Sequence, residues 1–522
     1  MNRPLIKALK ELELLQKNGS IFKSEEFSLR NASVLKTHGF LAPVIRGWYN
    51  IQKPGDIAGS STAWYANFWE FVSKYLDDRF GKKNYCLNAD ASLLLHTGKT
   101  VIPKQIVVIT REGSTSAIVE LPFGTSLAIY KDEKNFPQRV VEKNSITLLF
   151  LEDALCKTGE QFFINHPLEA EIALNGISDA SAILNTLLTY ERMDSSASRM
   201  AGAFEYMGRH DESRRICETY TAATGIAIKP KNPFIKEIPL IGYSRERSPY
   251  AARIYGMWAS FRNDIIAIGS SLNKRIPDAQ YVRDEMAGKY QQDAYHSLSI
   301  EGYIVTPELI SKIEHGLWNP DENPEDKNNK DALAAKGYFD AFEVVKKHIL
   351  ESIEKPLPIE TTLGIIHHDW YRSLFTPSVA SGMLRAQDLA GYRNSAIYLR
   401  TSMHVPPPKE AVIDSMSAYF ELLKKEEDPF VRAVLGHFIF GFIHPYVDGN
   451  GRMARFIMNA LLVTNGFPWI IIQVQQRNDY LNALEEASAH GNIKPFAQMI
   501  ADLLIQAYPP LVEGRVASST LN

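Results

Sequence analysis

Cysteine is scarce. Cys86, Cys156 and Cys217 are the three in 522 residues. They are odd in number, far apart and without metal-ligand spacing, which argues against a disulfide scaffold or a cysteine metal site. Neither sign of charge is in excess. Lys and Arg total 57 against 60 Asp and Glu, a formal net charge of -3, so there is no global pull toward nucleic acid or an acidic membrane. A long hydrophobic run is missing as well. The apolar residues of Met1 to Lys7 are soon interrupted by Lys10, Glu11 and Glu13, which leaves no signal-peptide core. The most apolar late region breaks at Asn465, Gly466 and Pro468 and is too short to span a bilayer. Internal repeats and long low-complexity tracts are also absent. These absences predict reduced thiols, no membrane and a cytoplasmic location.

What is present is ordinary globular composition, 45% hydrophobic and 22% charged, on a chain long enough for more than one domain. Leu5, Leu9, Leu12 and Leu15 recur at helical spacing. Ser24-Glu25-Glu26 reads as another helix start. Strands around a turn follow at Gly39–Leu41 and Arg46–Ile51. Residues 56–85 read as helix, with Trp64, Phe68, Phe71, Val72 and Tyr75 on one face. Ile106–Thr110, Ser116–Glu120 and Ser126–Tyr130 read as strands, and 150–225 as helices. A Pro-rich and charged stretch, 226–250, reads as a linker. Beyond it nearly everything is helical in pattern, except a polar loop from Asn319 to Asp331 and an expected hairpin near 391–404.

The chemistry concentrates in His444-Pro445-Tyr446-Val447-Asp448-Gly449-Asn450-Gly451-Arg452-Met453-Ala454-Arg455. Val431, Val434, Leu435, Phe438 and Phe442 form a buried helix leading in, which Pro445 ends. Met453, Phe456, Ile457, Ala460 and Leu461 form the helix leading out. The Gly-rich turn therefore opens a helix whose first N–H groups are unpaired and favour an anion. Gly449 and Gly451 keep side chains away from that backbone. Arg452 and Arg455, three apart, share a face and suit a polyphosphate. Asp448 is a hard oxygen ligand suited to Mg²⁺. His444 titrates near neutrality and can take a proton from an attacking hydroxyl. These are parts for phosphoryl or nucleotidyl transfer.

This string resembles the Fic motif, His-Pro-Phe-x-Asp/Glu-Gly-Asn-Gly-Arg-x-x-Arg, departing from it at Tyr446. The resemblance extends over about residues 250–505. It implies a helical Fic fold that binds ATP through Gly449, Asn450, Gly451, Arg452 and Arg455, with Mg²⁺ on Asp448. AMP would pass to a hydroxyl of a target protein, with His444 as base. The intact Gly449-Asn450-Gly451 turn favours AMP over the phosphate transfer of the Doc branch. Gly391–Leu399 and Val405–Pro408 are similar to the family's flap hairpin, implying that the segment around Ile397 docks the target. Tyr480, in Tyr480–Ala487, resembles the adenine-pocket segment. Upstream, Ser297-Leu298-Ser299-Ile300-Glu301-Gly302 resembles the family's inhibitory signature, implying that Glu301 competes with phosphate for Arg455.

The expected architecture is multidomain. A winged-helix-like domain (1–55) precedes an α+β domain (56–225), the two together resembling antitoxins of the AbiEi type. The linker (226–250), a Fic domain with a β-hairpin flap (251–505, inhibitory helix near 290–302) and a tail (506–522) follow. A winged helix implies DNA as a partner, although Lys23, Arg30, Lys36 and Arg46 are offset by Glu25 and Glu26. Homo-oligomerisation is left open. Two other readings compete with the transferase. One is a DNA-binding regulator whose Fic part senses nucleotide; the intact His444 speaks against it, since sensing needs no base. The other is an enzyme that removes AMP.

Overall fold

The computed structural model describes residues 3–508 apart from 18, 53–61, 112–116, 135, 144, 236–247, 320–328, 356 and 400–401. The chain divides into two compact units, Met1–Arg253 with Ile397–Pro406, and Ile254–Ala396 with Pro407–Asn522. Among the described residues no helix is long and apolar enough to cross a membrane.

In the first unit, α1 (Arg3–Gln16) buries Ala8 and Leu12 on the face its leucine spacing marks. Strand β1 (Ile21–Lys23) and helix α2 (Leu29–Thr37) follow, then a hairpin of β2 (Leu41–Ile45) and β3 (Trp48–Ile51). Gly47, at φ 85, supplies the positive φ of the hairpin turn. Antiparallel pairing in the order β1-β3-β2 makes a three-stranded sheet, one strand more than the sequence pattern suggested. The helix start expected at Ser24 is a single 3₁₀ turn. The cap is Ser28, whose hydroxyl accepts from Asn31 N–H. The four-residue delay lets Phe27 enter the core, edge-on to Phe22 at 5.6 Å.

Helix α3 (Thr62–Phe80) buries Trp64, Phe68, Phe71 and Val72. Next come β4 (Tyr85–Leu87), α4 (Ala89–His96), β5 (Gln105–Thr110), β6 (Ala117–Glu120) and β7 (Ser126–Lys131). The sheet order is β4-β5-β7-β6, with β5 and β7 parallel. A second hairpin, β8 (Val141–Lys143) and β9 (Ile146–Leu148), leads into six helices, α5 (Leu151–Lys157), α6 (Glu160–Asn165), α7 (Pro167–Asn175), α8 (Ala180–Thr189), α9 (Asp194–Tyr206) and α10 (His210–Thr224). Of the expected linker, residues 226–235 form neither helix nor strand and 236–247 lie outside the described residues.

The second unit has only helices as regular elements among its described residues. It takes in most of α11 (Pro249–Gly269), then α12 (Ala279–Ile300), α13 (Pro307–Glu314), α14 (Lys330–Glu354), α15 (Ile359–Ala380), α16 (Val412–Lys425), α17 (Pro429–Ile443), α18 (Asn450–Val463), α19 (Arg477–His490) and α20 (Lys494–Ala507). Helix α17 is buried on nearly every side. Asp428 starts it by accepting from the N–H groups of Phe430 and Val431, both at 2.9 Å. The middle of the polar loop, 320–328, lies outside the described residues.

Among the described residues the hairpin expected near 391–404 is not formed. Arg393 N–H donates to the Pro445 carbonyl at 2.8 Å instead of to a return strand. The return segment pairs elsewhere, with Val405 N–H on Thr100 O and an isolated bridge between His404 and Val101. Pro406, Pro407 and Pro408 have no N–H to donate to a ladder.

Helices α14 and α15 approach so closely at Gly337 that a Cβ there would lie 2.0 Å from the Leu374 carbonyl oxygen. Gly337→Ala should therefore cost about 1–3 kcal/mol through overpacking, read by denaturant melting. Unchanged stability would contradict the close approach.

Candidate active site

Helix α17 ends at His444, which adopts φ 52 and ψ 60. A left-handed conformation is uncommon for a residue with a Cβ and costs on the order of 1–3 kcal/mol. Surrounding contacts must hold it. Asn450 provides one set. Its Oδ1 accepts from Tyr446 N–H at 2.9 Å and its Nδ2 donates to Tyr446 O at 2.8 Å. The Asn450 side chain is thus engaged within the loop, and its backbone is the part left for an anion. Gly449, at φ 79, caps α18, and a Cβ there would strike the Phe375 ring at 2.7 Å.

The imidazole of His444 is partly buried. Burial pushes its pKa down to about 4, against the hydrogen bond to the Gly441 carbonyl and with a further push from the Arg393 charge. Nδ1 lies 3.2 Å from that carbonyl oxygen. A carbonyl only accepts, so Nδ1 carries the proton of the neutral ring and Nε2 keeps the lone pair. A neutral ring with an available lone pair is the form a general base requires.

Four charged groups, Arg455, Glu301, Arg452 and Asp448, surround the start of α18. Arg455 is 5% exposed. Its Nη2 donates to Glu301 Oε1 at 2.7 Å and to Ser297 O at 3.1 Å, and its Nε donates to Ser297 Oγ at 2.9 Å. Glu301 reaches the helix start as well, because a Cβ on Gly451 would lie 2.2 Å from its Oε1. The carboxylate thus sits beside the amides and the guanidinium that an anion would use. Gly302, at φ 87, ends α12, with Tyr303 N–H bonded back to Leu298 O at 3.1 Å. The last turn of α12 is further held by Arg477 Nε on Ile300 O at 2.7 Å and by Val474 N–H on His296 Nδ1 at 3.2 Å.

Arg452 is buried between the rings of Tyr303 and Phe375, with its guanidinium carbon 5.0 and 5.1 Å from their centroids. Its Nη2 is 3.6 Å from Asp448 Oδ1. The Asp448 side chain is 62% exposed, and its Oδ1 accepts from Gly449 N–H at 2.6 Å. Among the described residues no three His, Cys, Asp or Glu side chains gather into a metal cage. A lone exposed carboxylate beside an anion site fits Mg²⁺, which keeps waters and takes phosphate oxygens as its other ligands.

Two further expected site residues are Tyr480 and Ile397. Tyr480 is 2% exposed and its hydroxyl meets His437 Nε2 at 2.8 Å. Its ring therefore supports the core behind Arg455 and is not an exposed pocket wall. Ile397 lies in the 397–406 segment of the first unit, which forms no flap hairpin. Three contributors went unread in the sequence: Arg393, Tyr303 and His368. The Tyr446 departure from the family motif is answered by His368, whose Nδ1 is 2.9 Å from the Tyr446 hydroxyl, while the Tyr446 ring stacks on Tyr371 at 3.7 Å. The His367-His368 pair in α15 was the available signal.

Residues 361–462, from α15 through α18, match the model of the Fic/DOC family. The chain thus carries a Fic domain. It is similar to the protein adenylyltransferase Fic of Nematostella vectensis, 32% identical over 237 residues, which are 44% of this chain and 50% of that protein. The corresponding protein of Drosophila grimshawi is 30% identical over 217 residues, 41% of each. The chain spans about half the length, or less, of the curated relatives it matches. Among solved structures, Fic-1 from C. elegans aligns at 18% identity and a TM-score of 0.36, covering 65% of this chain and 86% of that one.

A histidine at its ordinary value titrates near 6.5. The depressed value predicts that the His444 ring stays neutral down to about pH 5 and protonates around pH 4. An NMR titration of its ring signals checks this, and a midpoint at 6.5 would contradict the described burial.

Proposed function

We propose that the protein is a protein adenylyltransferase. It transfers AMP from ATP to a Ser, Thr or Tyr hydroxyl of a target protein, and Glu301 restrains it. The observation that carries the reading is the Glu301–Arg455 ion pair, 2.7 Å long, at the open end of a helix that starts inside a Fic-like motif departing only at Tyr446. The helix-start amides at Gly449, Asn450 and Gly451 would grip phosphate, with Arg452 and Arg455 neutralising the rest of the chain of phosphates. Asp448 would hold Mg²⁺, which would supply positive charge beside the phosphates. His444 Nε2 takes the proton of the attacking hydroxyl. The segment around Ile397 docks the target, and residues 251–505 form the catalytic part.

A carboxylate on Arg455 competes with phosphate for the same fork of donors. ATP can still bind, but with its phosphates displaced from the line of attack, and about 1 Å of misplacement costs on the order of 10²-fold. Wild type, Glu301→Gly and Glu301→Gly/His444→Ala should be compared with labelled ATP. Self-labelling should rise by about 10²-fold on removal of Glu301 and fall again by about 10²–10⁴-fold without His444. Equal labelling by all three would remove the reading. A drop on Glu301→Gly would instead favour Glu301 working in AMP removal.

A second proposal concerns the first unit. Helix α2 exposes Arg30, Ser33, Lys36 and Thr37, and Arg46 is exposed at the hairpin turn. We infer a winged-helix DNA contact with the chain's own upstream DNA. The full-length protein should bind that DNA with an affinity that falls steeply with salt. Equal, weak binding to every sequence would assign this part to protein interaction.

A further inference from the structure

Arg393 has no part in the proposed chemistry, yet it is 4% exposed and spends its donors on the loop that carries it. Its N–H reaches Pro445 O at 2.8 Å, its Nε reaches His444 O at 2.8 Å, and its Nη2 reaches Ile443 O at 3.4 Å. The outer edge of the same guanidinium is anchored by Ser395 O, 3.0 Å from Nη1, and by Pro407 O on Nη2. One residue thus takes three successive carbonyls, those of residues 443 to 445.

The middle one of these belongs to His444, at φ 52. A peptide unit is planar, so the direction of its carbonyl fixes the whole plane. Ile443 O marks the plane before the His444 Cα, and His444 O marks the plane after it. Holding both planes sets both torsions at that Cα, and with them the direction in which the imidazole leaves the backbone. We propose that Arg393 is a positioning residue of the transfer reaction: it holds His444 in the left-handed conformation and so aims the imidazole at the incoming hydroxyl. The inference rests on the reading of His444 as general base. Lysine cannot replace arginine here, because a single ammonium lacks the planar fork that spans neighbouring acceptors.

The test uses the full chain in the Glu301→Gly background, with Arg393→Lys and Arg393→Gln. Melting, ATP affinity, the self-labelling rate at saturating ATP and crystal structures of the variants are read together. ATP affinity should stay within about threefold while the rate falls by about 10²-fold, and His444 should leave the left-handed region. Both changes are required; an unchanged rate or an unchanged His444 φ overturns the proposal. ATP affinity lost in step with the rate, or failure of both variants to fold, would make Arg393 part of the general frame and overturn it too. Absence of labelling by Glu301→Gly alone would defeat the transferase reading. The His444 φ would then decide the role of Arg393 by itself.

Discussion

The second unit turns on one constraint: a buried helix start and a buried guanidinium must be given a negative partner. Helix α18 begins with unpaired amides, and Arg455, on its second turn, is nine-tenths removed from water. A charge so placed needs a partner or pays heavily in desolvation. Glu301 supplies that partner, carried on α12 and stopped at the right height by the turn at Gly302. Under the proposed function, a nucleotide polyphosphate would be the alternative partner of matching charge. The pair is therefore better understood as a placeholder than as a stability device, since the Coulomb gain of such a pair is largely offset by desolvation.

The groups around this contact divide the work between holding and reacting. Asn450, Tyr446 and Gly449 fix the loop, with Tyr446 set against Tyr371 and His368. Arg393 holds the carbonyls on both sides of His444. His444 and Asp448 are left with side chains that can reach a ligand. Arg477, three residues before Tyr480 at the start of α19, holds the final carbonyl of α12 at 2.7 Å. The turn that carries Glu301 and the start of α19 are thus packed against each other.

The motif and the two helices around it were legible because their signals are local. Apolar spacing of 3.6 residues and a Gly-rich turn are both written within about thirty residues. The Glu301–Arg455 contact joins residues far apart in sequence and was legible only through the family resemblance. Nonlocal pairing defeated the hairpin expectation: residues 403–405 have strand-like character, but their partners are 100–102. Helix starts were read one turn early at Ser24, because two serines precede α2 and only the burial of Phe27 chooses between them. Arg393 falls within the expected hairpin, and nothing in its neighbours tells that its side chain closes on a loop about fifty residues later. The burial of the Tyr480 ring was not legible for a related reason, since it depends on what packs over it.

The central claim is that Glu301 and a nucleotide phosphate occupy the same donors. The most direct measurement is a crystal structure of Glu301→Gly with a non-hydrolysable ATP analogue and Mg²⁺, beside wild type with the same ligands. The account predicts that the analogue's phosphates take the Arg455 guanidinium and the α18 amides in the variant, and that in wild type they are displaced from Arg455. Phosphates placed identically in both, with Arg455 still on Glu301 in wild type, would contradict it.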